Sequence, residues 1–124
     1  MPMTAHPLIG RLQAQAEAFV ALRRDLHQHP ELGLAEMRTS QLVAEGLAAW
    51  GYEVHRGLAT TGVVGTLRRG TGGKRLGLRA DMDALPIHEC SGKPWASRHA
   101  GVMHACGHDG HTAMLLAAAR QLAE

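Results

Sequence analysis

Aromatic side chains are scarce in this sequence, with one Phe, one Tyr and two Trp among 124 residues. Leu, Val, Ala and Met must therefore fill whatever core it forms. Cysteine is scarcer still. Cys90 and Cys106 are the only two, too few for a disulfide framework, and a cytoplasmic location is expected, where both thiols stay reduced. A Cys90–Cys106 bridge is the alternative that spacing leaves open. No apolar run approaches the roughly 20 residues needed to span a bilayer, so no membrane partner is expected. The N-terminal stretch M-P-M-T-A-H-P-L-I-G-R-L lacks a basic segment followed by an apolar one, so no secretory leader is expected. One sign of charge does not prevail either. The formal net charge is +2 with acids and bases interspersed, which argues against a nucleic-acid surface and its concentrated basic stripe. Arg68, Arg69 and Lys74 flank a Gly-rich turn and read as a solvated hairpin tip.

What is present suits one globular domain, with 45% hydrophobic and 19% charged residues. Leu8, Leu12, Phe19, Leu22 and Leu26 recur at helical spacing and predict an amphipathic helix over Leu8–His27, ended by Pro30. Met37, Leu42, Val43 and Leu47 predict a second over Glu36–Trp50, with Gly51 at its left-handed C-terminal cap. Three strands are expected at Tyr52–Arg56, Gly62–Arg68 and Arg75–Ala80. The G-T-G-G segment between the last two suggests that they form a hairpin. A long loop of functional length spans about Ala84–Cys106. A final helix begins near Asp109 or Gly110, and no Gly, Asn or Pro ends its pattern before Glu124. The expected fold class is α/β, a three-layer mixed sheet flanked by helices. The missing stop signal reads as the front portion of something larger, which would leave apolar surface on Thr112–Ala123 exposed.

Chemistry concentrates near the C-terminus. Of nine histidines, His99, His104, His108 and His111 fall within thirteen residues, beside Cys106 and Asp109. In H-A-C-G-H-D-G-H, residues 104–111, an extended backbone would project His104, Cys106 and His108 to one side. Thiolate and imidazole suit borderline divalent metals such as zinc, cobalt or nickel. A lone histidine is ordinarily a solvated or core side chain, but four donors in eight positions favour metal binding. No second Cys/His pair completes a structural zinc site, so a partly open catalytic centre is the better reading. His111 is a ligand or a supporting group, and Asp109 reads as a helix cap. Upstream, Asp81 and Asp83 in L-R-A-D-M-D-A-L-P lie on one side of a strand end. They can bridge metals, orient a ligating histidine, serve acid–base chemistry, or merely cap the turn into the loop.

The motifs D-L-H-Q-H-P-E-L-G (25–33), T-G-V-V-G (61–65), L-R-A-D-M-D-A-L-P (78–86) and G-V-M-H-A-C-G-H-D-G-H-T-A-M-L-L (101–116) together resemble the hippurate hydrolase family. This is a branch of the aminoacylase/carboxypeptidase clan of metallopeptidases. The resemblance implies the N-terminal part, residues 1–124, of the catalytic domain of a two-domain amidohydrolase that hydrolyses N-acyl amino acids. It implies two divalent ions per complete site, drawn from zinc, manganese, cobalt or nickel, and a homo-oligomer. By the same resemblance Cys106 and His108 are metal ligands. Asp83, the candidate catalytic residue, matches the aspartate that orients a ligand. Asp81 stands where other branches carry a ligand histidine, and its role stays open. His27 and His29 belong to a structural motif. The family's Glu-Glu pair, its later histidines and its lid and dimerisation domain have no counterpart in this sequence. A non-catalytic metal-binding module is therefore the alternative to an active enzyme.

Overall fold

The computed structural model describes residues 5–124; Met1–Thr4, the first part of the stretch read for a leader, lie outside the described residues. The chain runs α1 (Pro7–Gln28), α2 (Met37–Ala49), β1 (Glu53–Leu58), β2 (Gly62–Thr66), α3 (His108–Ala123). All three helices form where apolar spacing predicts them, within a residue or two at each end. Among the described residues no helix is long and apolar enough to cross a membrane.

Helix α1 starts on Pro7, whose fixed φ suits a first helical turn. The His6 ring accepts the Leu8 amide at 3.2 Å. Helix α2 is capped from a distance. The Glu31 carboxylate accepts the Arg38 and Thr39 amides at 2.9 and 2.7 Å and the Thr39 hydroxyl at 2.7 Å, supplying acceptors to otherwise unpaired first-turn donors. Glu36, at the cap position itself, makes no capping bond and instead accepts the Thr61 hydroxyl at 2.6 Å. Gly51 follows α2 with φ of 86°, as expected.

β1 and β2 pair antiparallel, Glu53 opposite Thr66 and His55 opposite Val64, with an irregularity between Arg56 and Leu58. Ala59 and Thr60 turn the chain with φ of 46° and 75°. Two successive left-handed residues match the twist of a tight hairpin. A side chain bearing a Cβ costs roughly 1–2 kcal/mol there. The buried Thr61–Glu36 bond offsets that cost and anchors the turn to α2.

Leu47, Leu116 and Ala119 form the centre of the core, covered by Phe19, Leu22, Leu42, Val43, Trp50, Tyr52, Val54 and Val63. All three helices and the hairpin thus share one core. Tyr52 adds a polar link, its hydroxyl donating to the Ala119 carbonyl at 2.6 Å; burial pushes its pKa up, opposed by the nearby Arg69.

The sheet departs from expectation. These residues form one two-stranded antiparallel sheet. Arg75–Ala80 is not a strand, and its hairpin with the preceding strand does not form. A strand is stabilised by partners on its edge and cover on its face. Here Leu76 and Leu78, which alternate in the strand manner, are exposed, Leu76 at 78%. Nor do Arg68, Arg69 and Lys74 mark a hairpin tip; Arg69 instead donates to the Ala123 carbonyl at the end of α3. Met114 and Leu122 leave apolar surface exposed on α3. The 84–106 stretch is ordered by short pairings of Leu32 with Ala84 and Leu85 with Met103, and by Arg24 stacked on the Trp95 ring at 3.8 Å.

Glu31→Ala should lower stability by about 1–2 kcal/mol, the range for losing a helix cap. Urea titration followed by circular dichroism checks this, with Glu17→Ala, on an exposed position of α1, as a control expected to stay near zero.

Candidate metal centre

The turn into α3 is built on Gly107. Its φ of 87° lies in the left-handed region, where a Cβ is strained and glycine is not. That turn ends the extended run at Cys106 and starts the helix at His108, so the expected one-sided alternation does not persist. His104 is buried, Cys106 is exposed and His108 is half-buried. His108 is held by its Nδ1, which lies 2.8 Å from Asp83 Oδ1 and 3.0 Å from the Asp83 carbonyl. Both are acceptors, so Nδ1 donates, and the neutral ring in this tautomer presents its lone pair at Nε2. The His111 ring stands one helical turn away, its centroid 5.7 Å from that of His108. Both cysteines are free thiols and both are exposed, so the Cys90–Cys106 bridge is not formed.

This geometry brings together Asp83, His108, His111 and the Cys106 loop. It does not bring in Asp81, whose carboxylate pairs with Arg79 while its carbonyl accepts the Thr112 hydroxyl at 3.1 Å. Among the described residues no three His, Cys, Asp or Glu side chains converge on one point.

The family model for peptidase family M20/M25/M40 matches residues 77–124, the stretch holding Asp83, Cys106 and His108. The hippurate hydrolase of Campylobacter jejuni is 53% identical over 112 residues, which is 90% of this chain and 29% of that protein. A solved structure described as an aminohydrolase from methicillin-resistant Staphylococcus aureus superposes with a TM-score of 0.89 at 45% identity, covering 94% of this chain and 31% of the other. A dinuclear metal-binding M20 peptidase of Bacillus subtilis superposes at 0.84 with 38% identity, covering 90% and 31%. The chain is therefore similar to members of this family over most of its own length. It spans less than a third of each of these three relatives and matches their N-terminal portion.

Sequence reasoning missed one set of residues. Asp109 does not cap α3. Its side chain is 1% exposed, and Oδ2 meets His27 Nδ1 at 2.8 Å and Arg23 Nε at 3.1 Å. The other face of the His27 ring meets Glu89, Nε2 to Oε1 at 3.0 Å. Glu89 also accepts the Ser97 amide at 2.9 Å and the Ser91 hydroxyl. Burial alone would raise the Glu89 carboxyl. Hydrogen bonds from Ser91, the Ser97 amide and His27, with the charge of His27, together hold it below the usual range. His104 lies behind this group, its ring centroid 6.4 Å from that of His27. Burial holds its pKa down, opposed by the nearby Asp109 carboxylate, and neither ring nitrogen has a hydrogen-bond partner. His29 donates locally, from Nδ1 to the Asp25 carbonyl 2.8 Å away.

A carboxyl held low when folded contributes stability that is complete above its ordinary pKa of about 4.3 and is lost as pH falls through the lowered value. Glu89→Gln should cost roughly 1–3 kcal/mol at neutral pH by weakening buried charge-assisted bonds. The gap from the unmodified chain should narrow below about pH 4. Urea midpoints between pH 2 and 7 measure both.

Proposed function

We propose that this chain supplies Cys106 and His108 as metal ligands, with Asp83 orienting His108, to an M20-type hydrolase acting on the amide bond of N-acyl amino acids. The observation that carries the reading is the His108 ring. Its Nδ1 is tied to the Asp83 carboxylate at 2.8 Å, which leaves Nε2 as the donor, two residues along the chain from the exposed Cys106 thiol. A carboxylate behind a ligating imidazole fixes its tautomer and raises its basicity. Thiolate and imidazole fit zinc, cobalt or nickel, and manganese is the harder alternative. A divalent ion bound here supplies Lewis acidity toward an amide carbonyl. The chain's own part is to present the two donors, to keep the His108 proton on Nδ1, and to leave Cys106 open toward substrate. Similarity to the Campylobacter hippurate hydrolase supports an aromatic N-acyl amino acid as the first substrate to try.

A second reading, metal binding without turnover by these 124 residues alone, is supported by the donor count. Cys106 and His108 make half of the four ligands a zinc site ordinarily uses, and among the described residues no glutamate pair stands beside them to serve as general base.

Metal titration of the unmodified chain, Cys106→Ser and His108→Ala decides the ligand assignment. The unmodified chain should bind zinc or cobalt and both variants should lose it; equal stoichiometric binding in all three would sink the assignment. Asp83→Asn should weaken binding by roughly 10–100-fold, the usual effect of losing a ligand's supporting carboxylate. In an assay with hippurate, the zinc-, cobalt- or manganese-loaded chain should show no appreciable turnover. Metal-dependent hydrolysis abolished by Cys106→Ala would instead establish catalysis by these residues alone.

A further inference from the structure

We propose that His27, clamped between Asp109 and Glu89, is a positioning residue that sets the placement of the Cys106–His108 turn; this rests on the reading of those two residues as ligands. His27 lies in the last turn of α1, more than sixty residues from either carboxylate. Asp109 follows His108 directly, so the 2.8 Å contact at His27 Nδ1 fixes the first turn of α3 immediately behind the ligand. Glu89 belongs to the loop whose return is tied to the same place by the Leu85–Met103 pairing. The contacts from His27 Nε2 to both Glu89 oxygens, at 3.0 and 3.1 Å, therefore fix the other side of the turn. Arg23 on Asp109 and the Ser97 amide on Glu89 hold the two carboxylates in their orientations.

Stability does not account for this arrangement. The three side chains are 8%, 1% and 3% exposed, and removing charged groups from water is costly enough that well-packed apolar side chains usually do as well or better. Asp109 Oδ1 and both nitrogens of the adjacent His104 are buried without partners, a further cost. What such a cluster provides is one geometry. A ring with a carboxylate on each nitrogen satisfies both only by donating from both, which fixes its plane and both acceptors at once. Metal ligands need such precision, since misplacement on the order of 1 Å is enough to lose function.

The test compares the 124-residue chain with His27→Phe, which keeps the bulk and removes both donors, and His27→Gln, which keeps donors for one carboxylate. The first readout needs no metal. Amide hydrogen exchange at residues 105–112 should accelerate at least tenfold in His27→Phe, while the β1–β2 hairpin stays unchanged. The second is cobalt(II) binding, read by the near-ultraviolet band of a thiolate–cobalt bond. Affinity should fall roughly tenfold with a weakened band, as for loss of a ligand's support. His27→Gln should lie between, and it carries both readouts if His27→Phe does not fold. Unchanged local exchange with unchanged cobalt affinity would overturn the proposal. So would acceleration equally large in the hairpin, the mark of a merely structural role. Failure of the unmodified chain to give the band would overturn the ligand reading instead, and local exchange would still decide the role of His27.

Discussion

The last turn of α1 is the fixed point of this chain. Leu26 is fully buried there, and its neighbour His27 meets the start of α3 on one side and the long loop on the other. Two backbone bonds extend the anchorage, from the Arg98 amide to the Gln28 carbonyl and from the Ala84 amide to the Glu31 carbonyl. Segments far apart in sequence therefore converge on a few residues, 26 to 31. If that turn were displaced, Asp83, the 84–106 loop and the His108 turn would lose their common reference together. Local stability in proteins follows such contact density.

With so few aromatic residues, carboxylates do much of the joining between elements. Glu31 caps α2 from the preceding loop, Glu36 holds the hairpin turn, Glu89 holds the long loop and Asp109 joins α3 to α1. Asp83 joins the pre-loop segment to His108. Carboxylates are directional where apolar contacts are not. A small core of Leu and Ala supplies the cohesion, and the acids supply the register.

How far the sequence could be read follows from the same division. The helices were legible because 3.6-residue spacing is local, and so were Pro30 and Gly51 as stops. The pairing of Asp83 with His108 was legible because the donors are dense and the motifs specific. The β1–β2 turn was hidden, since L-A-T-T carries no turn residue and its left-handed bends are held by Glu36 from outside. Arg75–Ala80 has the alternation of a strand, but alternation describes a face and says nothing of a partner. Glu89 and the ion-paired role of Asp109 depend on contacts more than sixty residues long, which no local pattern encodes. A carboxylate in a first helical turn looks like a cap until the imidazole facing it is seen.

Gly107 carries a consequence for how this stretch can vary. With φ of 87° it is the pivot between an extended thiol and a helical imidazole, and its missing Cβ would stand 3.9 Å from the His111 ring, an ordinary contact. Space would therefore admit a side chain, while conformation would cost it roughly 1–2 kcal/mol. In the vocabulary of sequence drift, position 107 has a short alphabet led by glycine, while the exposed Ala105 nearby has a long one. A survey of variants would find tolerance and intolerance side by side on a loop whose surface looks uniform.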